Sequence, residues 1–186
     1  VRPTLRRRDF NSVLGCLVSD KIGPGALNRQ LAADVCAFTG TSGGACLATF
    51  RSALQAAFSV LPLQPGDGVI VSALAPQEYL EVLRLQGLRC LLADVEPRRP
   101  VLSAAQVEAH AAAGAKAIVV HHTLGFHPGS EELARTGLPI VEDITPALGG
   151  KWGDTPCGGV GTVAVLSLEP PGIVTAGGGG VVFSRD

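Results

Sequence analysis

Three polar side chains in the segment ATFRSAL have the types and spacing to bind a phosphate group. Thr49, Arg51 and Ser52 lie where a short apolar run passes into a helical pattern. Backbone N–H groups at the amino end of a helix favour an anion, and hydroxyl and guanidinium groups would add further donors. The segment is equally consistent with an ordinary helix cap by Thr49 or Ser52 beside a solvent-facing arginine. Both interpretations stay open at this point.

A pair of acidic residues, Glu142 and Asp143, ends the apolar run of LPIVED. A carboxylate at the end of a buried strand can accept a hydrogen bond from a protonated ring nitrogen of a ligand. It can equally cap the turn that follows the strand. Without further context, the pattern favours the cap.

The histidines and cysteines do not form a recognisable metal site. His121, His122 and His127 occur as H-H-x4-H, which is not a zinc spacing. The five cysteines include no C-x-x-C pair and lie mostly in apolar stretches. We therefore expect no metal, buried reduced thiols, and histidines whose hydrogen bonds are satisfied at a strand end.

The stretch LSLEPPGIVTAGGGGVVFS, residues 166–184, looks like the strand–turn–strand of a cofactor-binding enzyme. Its turn holds four consecutive glycines and no ionisable side chain after Glu169. A loop of this shape indicates ligand binding, but it offers no group that could act as a nucleophile or a base.

The elements that position these residues alternate along the chain. Apolar runs such as VIVSA, CLLAD, AIVVHH, LPIVED and VAVLSL are separated by helical segments every 20 to 30 residues. This alternation predicts an α/β fold with three layers, α/β/α, around a mainly parallel mixed sheet. Ligands bind beyond the carboxyl ends of the strands in such sheets. The candidate segments are therefore expected around one rim: residues 49–52, 72–76, 121–122, Asp143 and residues 167–172.

Three local patterns make more detailed predictions. Apolar residues from Phe10 to Val18 follow helical spacing, which predicts an amphipathic first helix. ACLAT is typical of a short buried strand. VIVSA is an apolar, mostly β-branched run, which is typical of a strand that is buried on both faces.

Composition narrows the class of protein. The 186 residues suit one domain, and 46% are hydrophobic, which excludes a disordered chain. The net charge of −1 gives no electrostatic attraction to nucleic acid or to an anionic membrane. No apolar run is long enough to cross a membrane as a helix. Charged residues make up only 17%, against roughly 25% in an average domain. We therefore expect a cytoplasmic protein, part of whose surface is covered by another domain or subunit.

The order of the motifs resembles the large domain of the DegT/DnrJ-type nucleotide-sugar aminotransferases, which are fold-type-I pyridoxal-phosphate (PLP) enzymes. The resemblance runs colinearly from about Phe10 to Asp186. It rests on a Gly-Pro turn with its helix, a phosphate turn, a P-G-D strand, a V-H-x-x-G segment, an E-D segment and a final glycine-rich hairpin. The matching segments are IGPGALNRQLAADVCAFTG, TFRSAL, PGDGVIV, HHTLGFHPG, LPIVEDITPALGG and VAVLSLEPPGIVTAGGGGVVFS.

The resemblance implies roles for single residues. Asp143 falls on the acid that pairs with the pyridine nitrogen, and Ser167 on a phosphate-binding serine. Thr49, Arg51 and Ser52 occupy the phosphate turn. Other matches depart from the family pattern: Pro76 lies where an aromatic ring usually stacks on the cofactor, Pro146 replaces a histidine or glutamine, and Gly172 stands at the Schiff-base lysine.

These departures imply a change of function. Transamination needs a primary amine that holds the aldehyde and moves a proton, and glycine supplies neither function. We therefore expect a pseudoenzyme that acts as a scaffold, as a regulatory subunit or as a binder of a phosphorylated ligand, and PLP itself is expected to bind weakly or not at all. The alternatives are an active sugar aminotransferase that uses a lysine from elsewhere, such as Lys151 or a partner chain, and an unrelated nucleotide-binding α/β domain.

The resemblance also implies an organisation. Residues 1–186 are expected to form a single large domain without the small C-terminal domain of the family. Because that domain and the partner subunit normally complete the site, the chain is expected to form a homodimer or to pair with another protein.

Overall fold

A computed structural model describes residues 6–129, 133–170 and 172–185. Seven of its strands form one sheet, in the order β1-β11-β10-β7-β6-β2-β3. Their bounds are β1 Gly43–Leu47, β2 Gly68–Ser72, β3 Arg89–Ala93, β6 Ala117–His121, β7 Ile140–Asp143, β10 Val163–Ser167 and β11 Gly180–Ser184. Four shorter strands form two separate hairpins: β4 Val95–Glu96 with β5 Arg99–Leu102, and β8 Lys151–Trp152 with β9 Thr155–Pro156.

The sheet is mainly parallel. The pairs β10–β7, β7–β6, β6–β2 and β2–β3 are all parallel, whereas β11 runs antiparallel between β10 and β1. The carboxyl ends of the six other strands therefore lie at one edge of the sheet, which we call the rim. The expected gathering of the candidate segments at one edge follows from this topology.

Helices cover both faces of the sheet. Their bounds are α1 Arg7–Val18, α2 Ala26–Thr39, α3 Phe50–Ser59, α4 Gln77–Leu85 and α5 Ala104–Ala112. Alternate strand residues divide the core: Val69 and Val71 pack with α3 and α4, whereas Ile70 and Ile118 pack with α5 on the opposite face. Helix α2 covers the same opposite face over β10 and β11. The three layers are those predicted from the alternating pattern.

The burial of the strands depends on their place in the sheet. All five residues of β2 are buried, as its continuous apolar run predicts for a central strand. The prediction for ACLAT was wrong about burial: β1 does form, but its first three residues are exposed and the other two are only partly buried. The physical reason is that β1 is an edge strand with a single neighbour, β11.

Helix α1 forms as its spacing predicts, but none of its residues is buried. The apolar side chains lie on one face of the helix, and each of them is between 47% and 81% exposed: Phe10, Val13, Leu14, Leu17 and Val18. This face is therefore not part of the core described above.

The glycine run has a structural explanation. Gly177 and Gly179 have φ angles of +84° and +106°, a backbone conformation that residues with a side chain rarely adopt. At Gly180 a Cβ atom would come within 2.8 Å of the Ala53 Cβ and 2.9 Å of the Phe50 Cα. The run thus allows the turn before β11 and its close approach to the amino end of α3. None of the described helices is both long and apolar enough to cross a membrane.

Candidate functional site

The amino end of α3 lies at the rim, directly after β1. Thr49 is the cap residue: its Oγ1 accepts the Ser52 N–H at 3.0 Å and lies 2.9 Å from the Ser52 Oγ. The N–H of Phe50, the first helical residue, donates to Glu169 Oε1 at 3.1 Å. Two of the first three N–H groups of the helix therefore already have acceptors within the chain. The cap interpretation of this segment is confirmed.

Arg51 makes an ion pair with Glu81 of α4, and both side chains are substantially exposed. An exposed pair of this kind contributes little to stability. It nevertheless engages the guanidinium group, which the sequence placed in the phosphate turn, with a carboxylate of the next helix. The structure therefore brings Thr49 and Ser52 together and directs Arg51 to a different partner.

Asp143 ends β7 at the rim, and only 1% of its surface is exposed. Its Oδ1 accepts from both the N–H and the hydroxyl of Thr145, at 2.9 and 2.5 Å. Its Oδ2 accepts from the Tyr79 hydroxyl. The expected cap of the following turn is confirmed by the Thr145 bonds, whereas the Tyr79 bond was not foreseen.

Tyr79 lies in the first turn of α4 and is completely buried. Burial, and then the charge of Asp143, raise the pKa of the Tyr79 phenol well above its usual value, so the hydroxyl stays a donor. The ring contacts His121 edge-on, with centroids 6.0 Å apart, and lies 6.3 Å from the Phe50 ring. Tyr79 thus contacts both Asp143 and the first residue of α3.

His121 and Ser167 complete the rim beside Asp143. The His121 Nδ1 lies 2.9 Å from the Thr123 hydroxyl, and its Nε2 lies 3.9 Å from Asp143 Oδ2. Burial lowers the pKa of His121, although Asp143 opposes the shift. The Ser167 N–H donates to the Thr145 hydroxyl at 2.8 Å, and its Oγ accepts the Glu169 N–H at 3.2 Å. Thr145 therefore links Asp143 to Ser167.

The remaining site positions carry no reactive group. Pro76 caps α4 and presents no aromatic ring, and Pro146 lies in the short turn Thr145–Ala147. At Gly172 a Cβ atom would lie 3.0 Å from the Val174 carbonyl oxygen and 3.1 Å from that of Glu169. A side chain at this position would therefore require the backbone to shift.

The three lysines of the chain, Lys21, Lys116 and Lys151, are all exposed. Lys116 precedes β6, so it lies roughly 16 Å of strand away from the rim residue His121. Lys151 starts the β8–β9 hairpin and pairs with Pro156. None of the three makes a hydrogen bond or ion pair with Asp143, Ser167 or Thr49 in the described part of the chain.

Glu142 belongs to a separate, buried network below the rim. Its two oxygens accept from His122 Nε2 at 2.9 Å and from the N–H groups of Gly158, Val160 and Gly161 at 2.9 to 3.2 Å. The His122 Nδ1 is buried without a partner. Among the described residues, no group of histidines, cysteines and carboxylates is placed to hold a metal ion.

Sequence reasoning did not predict the contacts that Tyr79 and Glu169 make at the rim. Two signals could have pointed to these residues: Tyr79 is the single tyrosine of the chain and follows the segment 72–76 predicted at the rim, and Glu169 is the last ionisable residue before the glycine run. Their partners lie 64 and 119 residues away in the sequence, so no local pattern indicates the contacts.

A seven-stranded, mainly parallel sheet between two helical layers, with polar side chains along its rim, places the chain in the class of three-layer α/β/α domains. Comparison with known protein families identifies the family within this class. The DegT/DnrJ/EryC1/StrS aminotransferase family matches residues 3–186, and the chain belongs to that family. The resemblance predicted from the motifs is confirmed.

The chain is similar in sequence to two relatives whose names differ. It is 30% identical to the UDP-N-acetyl-3-dehydro-alpha-D-glucosamine 3-aminotransferase of Acidithiobacillus ferrooxidans over 87% of this chain and 45% of that protein. It is 29% identical to a pleiotropic regulatory protein of Geobacillus stearothermophilus over 85% of this chain and 44% of that protein. The chain thus spans less than half the length of these relatives.

Solved structures share the fold. The aminotransferase TlmJ of Streptoalloteichus hindustanus superposes with a TM-score of 0.90 at 26% identity, covering 100% of this chain and 52% of that one. The protein Spr1654 of Streptococcus pneumoniae, in its PLP form, superposes with a TM-score of 0.93 at 21% identity, covering 99% of this chain and 52% of that one. The predicted fold class is therefore confirmed.

The rim of this chain, as it is arranged here, does not fit PLP. A pyridine nitrogen requires an accessible acceptor, but both Asp143 oxygens are hydrogen-bonded within the chain and the side chain is buried. A phosphate group at α3 would approach the Glu169 carboxylate, which would repel it. The groups that the family resemblance assigns to the cofactor are engaged with one another.

Proposed function

We propose that this chain is a non-catalytic, aminotransferase-like domain that acts as a scaffold or regulatory subunit through pairing with another chain. The observation that carries the proposal is the glycine at position 172, which the resemblance of the motifs matches to the Schiff-base lysine of the family. The three exposed lysines support it, because within the described ranges none of them makes a hydrogen bond or ion pair with Asp143, Ser167 or Thr49.

The chemistry of the rim supports the same proposal. The side chains that lie there include Asp143, Tyr79 and His121, each buried or nearly so and held by another residue of the chain. The hydroxyl groups of Thr49, Ser52, Thr145 and Ser167 lie there as well. None is a primary amine, which transamination needs as both nucleophile and base. The rim can therefore stabilise the fold, but it lacks the group that would carry the reaction.

We also propose a cellular location for the protein. All five cysteines are free thiols, which favours a reducing compartment and hence the cytoplasm.

Covalent trapping tests the loss of catalysis. The folded chain and the chain unfolded in urea are each incubated with PLP and reduced with borohydride, and the labelled lysines are identified by mass spectrometry. We expect no lysine in the folded chain to label faster or more completely than the same lysine in the unfolded chain. The reason is that exposed lysines without a shaped pocket react alike in both states.

The contradicting result is a single lysine that labels to one equivalent only in the folded state. Lys151→Arg would then show whether the label depends on Lys151, with Lys116→Arg as the matched control at the far end of the sheet. Such a result would favour the second candidate function, an active sugar aminotransferase. That candidate is supported by the name of the relative from A. ferrooxidans. It requires a catalytic lysine, either Lys151 or one from a partner chain.

The exposed face of α1 is the surface that we assign to pairing, and its occupant is a second copy of this chain. Five apolar residues on one side of a helix with no buried residue form a face that excludes water only against a partner. The net charge of −1 gives two copies little mutual repulsion.

Leu17→Glu tests this pairing, because Leu17 is 59% exposed and its replacement leaves the core intact. We expect the wild-type chain to sediment as a dimer and the Leu17→Glu chain as a monomer, because a buried, unpaired carboxylate opposes association. Val60→Glu, at a 70% exposed apolar residue after α3, is the matched control and is expected to stay dimeric. A monomeric wild-type chain at high concentration would contradict the assignment.

A further inference from the structure

We propose that Tyr79 and Glu169 hold the two places that a bound PLP would need, the phenol at Asp143 and the carboxylate at the amino end of α3, so that the folded chain excludes the cofactor. This inference goes beyond the proposed function. A chain without the lysine could still bind PLP without a covalent bond, through the acid and the phosphate turn.

The first place is at Asp143. A cofactor ring anchored there must donate a hydrogen bond to the carboxylate, and the Tyr79 hydroxyl already does so. The Tyr79 ring is fully buried and lies between the rings of Phe50 and His121. The Tyr79 ring therefore packs against the first residue of α3 and against the strand end beside Asp143. A cofactor ring that donates to the same Asp143 oxygen would have to displace the Tyr79 hydroxyl.

The second place is at the amino end of α3. The Phe50 N–H points at Glu169 Oε1 over 3.1 Å, and the Glu169 N–H is itself held by the Ser167 Oγ. A carboxylate at a helix amino end gains the same favourable interaction with the helix dipole that a phosphate would gain. It also repels a second anion at that position. Glu169 therefore uses an N–H group that a phosphate at this helix end would need, and it places a negative charge beside it.

The two contacts act on different parts of the cofactor. Tyr79 excludes the ring by using the Asp143 oxygen. Glu169 excludes the phosphate by charge and by using the Phe50 N–H. Removal of Glu169 alone should therefore admit a small anion, whereas admission of the whole cofactor needs both side chains to be removed.

Pyridoxine 5′-phosphate and inorganic phosphate are the probes for the test. Pyridoxine 5′-phosphate has an alcohol in place of the aldehyde, so it cannot label a lysine and reports non-covalent binding alone. The variants are Glu169→Ala, Tyr79→Ala and the double variant. Glu108→Ala is the matched control, because it removes one negative charge from an exposed position of α5. Binding is measured by equilibrium dialysis, and folding by circular dichroism.

We expect the wild-type chain and Glu108→Ala to bind neither probe saturably. Glu169→Ala should bind inorganic phosphate at least about tenfold more tightly than the wild-type chain does, and the double variant should gain the same for pyridoxine 5′-phosphate. Wild-type binding as tight as that of the double variant would overturn the inference, and so would a folded double variant without the gain. If Tyr79→Ala does not fold, the binding of inorganic phosphate by Glu169→Ala decides the test. Tighter phosphate binding than in the wild-type chain supports the inference, and unchanged phosphate binding overturns it.

This test and the trapping test can fail separately. A trapped lysine in the wild-type chain would refute the loss of catalysis. Unchanged binding of pyridoxine 5′-phosphate in the double variant would refute only the exclusion by Tyr79 and Glu169.

Discussion

Replacing Glu142 with alanine is expected to lower the free energy of unfolding by about 3–5 kcal/mol. The Glu142 side chain is fully buried and accepts from His122 and from three backbone N–H groups. Without the carboxylate, these four donors are left unsatisfied in the interior, and each such donor costs about 1–3 kcal/mol when no water replaces the partner. Domains of this size are stable by only about 5–15 kcal/mol, so a substantial unfolded population is expected.

Urea denaturation of wild type, Glu142→Ala and Glu142→Gln measures the effect. The glutamine keeps one acceptor oxygen, but its NH2 group faces either the His122 and Gly158 donors or the Val160 and Gly161 donors. It should therefore also destabilise the fold, though less than alanine. Glu108→Ala, on the exposed side of α5, should change the stability by less than about 0.5 kcal/mol. A Glu142→Ala chain as stable as this control would show that the buried network contributes little.

Acid should weaken the same network. Burial tends to raise the pKa of Glu142, but the hydrogen bonds from His122, Gly158 and Gly161 outweigh it and lower the pKa below the usual 4.5. A carboxyl group whose pKa is lower in the folded chain stabilises the fold above its unfolded pKa. That contribution is lost as the pH falls through the folded pKa. Stability should therefore decrease with acidification below about pH 4.5, and less steeply in Glu142→Gln.

The second large effect concerns Tyr79 at alkaline pH. Burial and the neighbouring Asp143 carboxylate raise the pKa of its phenol well above the usual value of 10.0. Tyr79 is the single tyrosine of the chain, so the ultraviolet absorbance change of phenol ionisation reports this residue alone. We expect the folded chain to show no ionisation near pH 10, and the urea-unfolded chain to titrate normally at about pH 10.

The sign of the linked stability follows from the raised pKa. A phenol with a higher pKa in the folded chain contributes fully to stability below its unfolded pKa. The contribution is lost as the pH rises through the folded pKa, with a slope of up to about 1.4 kcal/mol per pH unit. Tyr79→Phe should remove both the absorbance change and this part of the alkaline slope. A phenol of the folded chain that ionises near pH 10 would contradict the buried contact with Asp143.

The rim residues show how much of the candidate site could be predicted from the sequence. The alternating strands and helices place residues 49–52, Asp143 and Ser167 at one edge, and both helix-cap and turn-cap interpretations are confirmed by the bonds of Thr49 and Asp143. The assignment of cofactor-binding roles to these residues stays a prediction. Local spacing indicates which residues can cap a turn, because cap and turn are neighbours in the chain.

The amino-acid sequence by itself determined the three-layer fold, through the periodicity of its apolar residues, and the family, through the order of its motifs. The glycine at position 172 is read from the sequence directly. Only the tertiary structure decided that α1 is exposed, that β1 is an edge strand, and that Tyr79 and Glu169 engage Asp143 and the amino end of α3. The physical reason is distance along the chain. Contacts between residues 64 and 119 positions apart are set by how the layers pack, and neither residue carries a local signal of its partner.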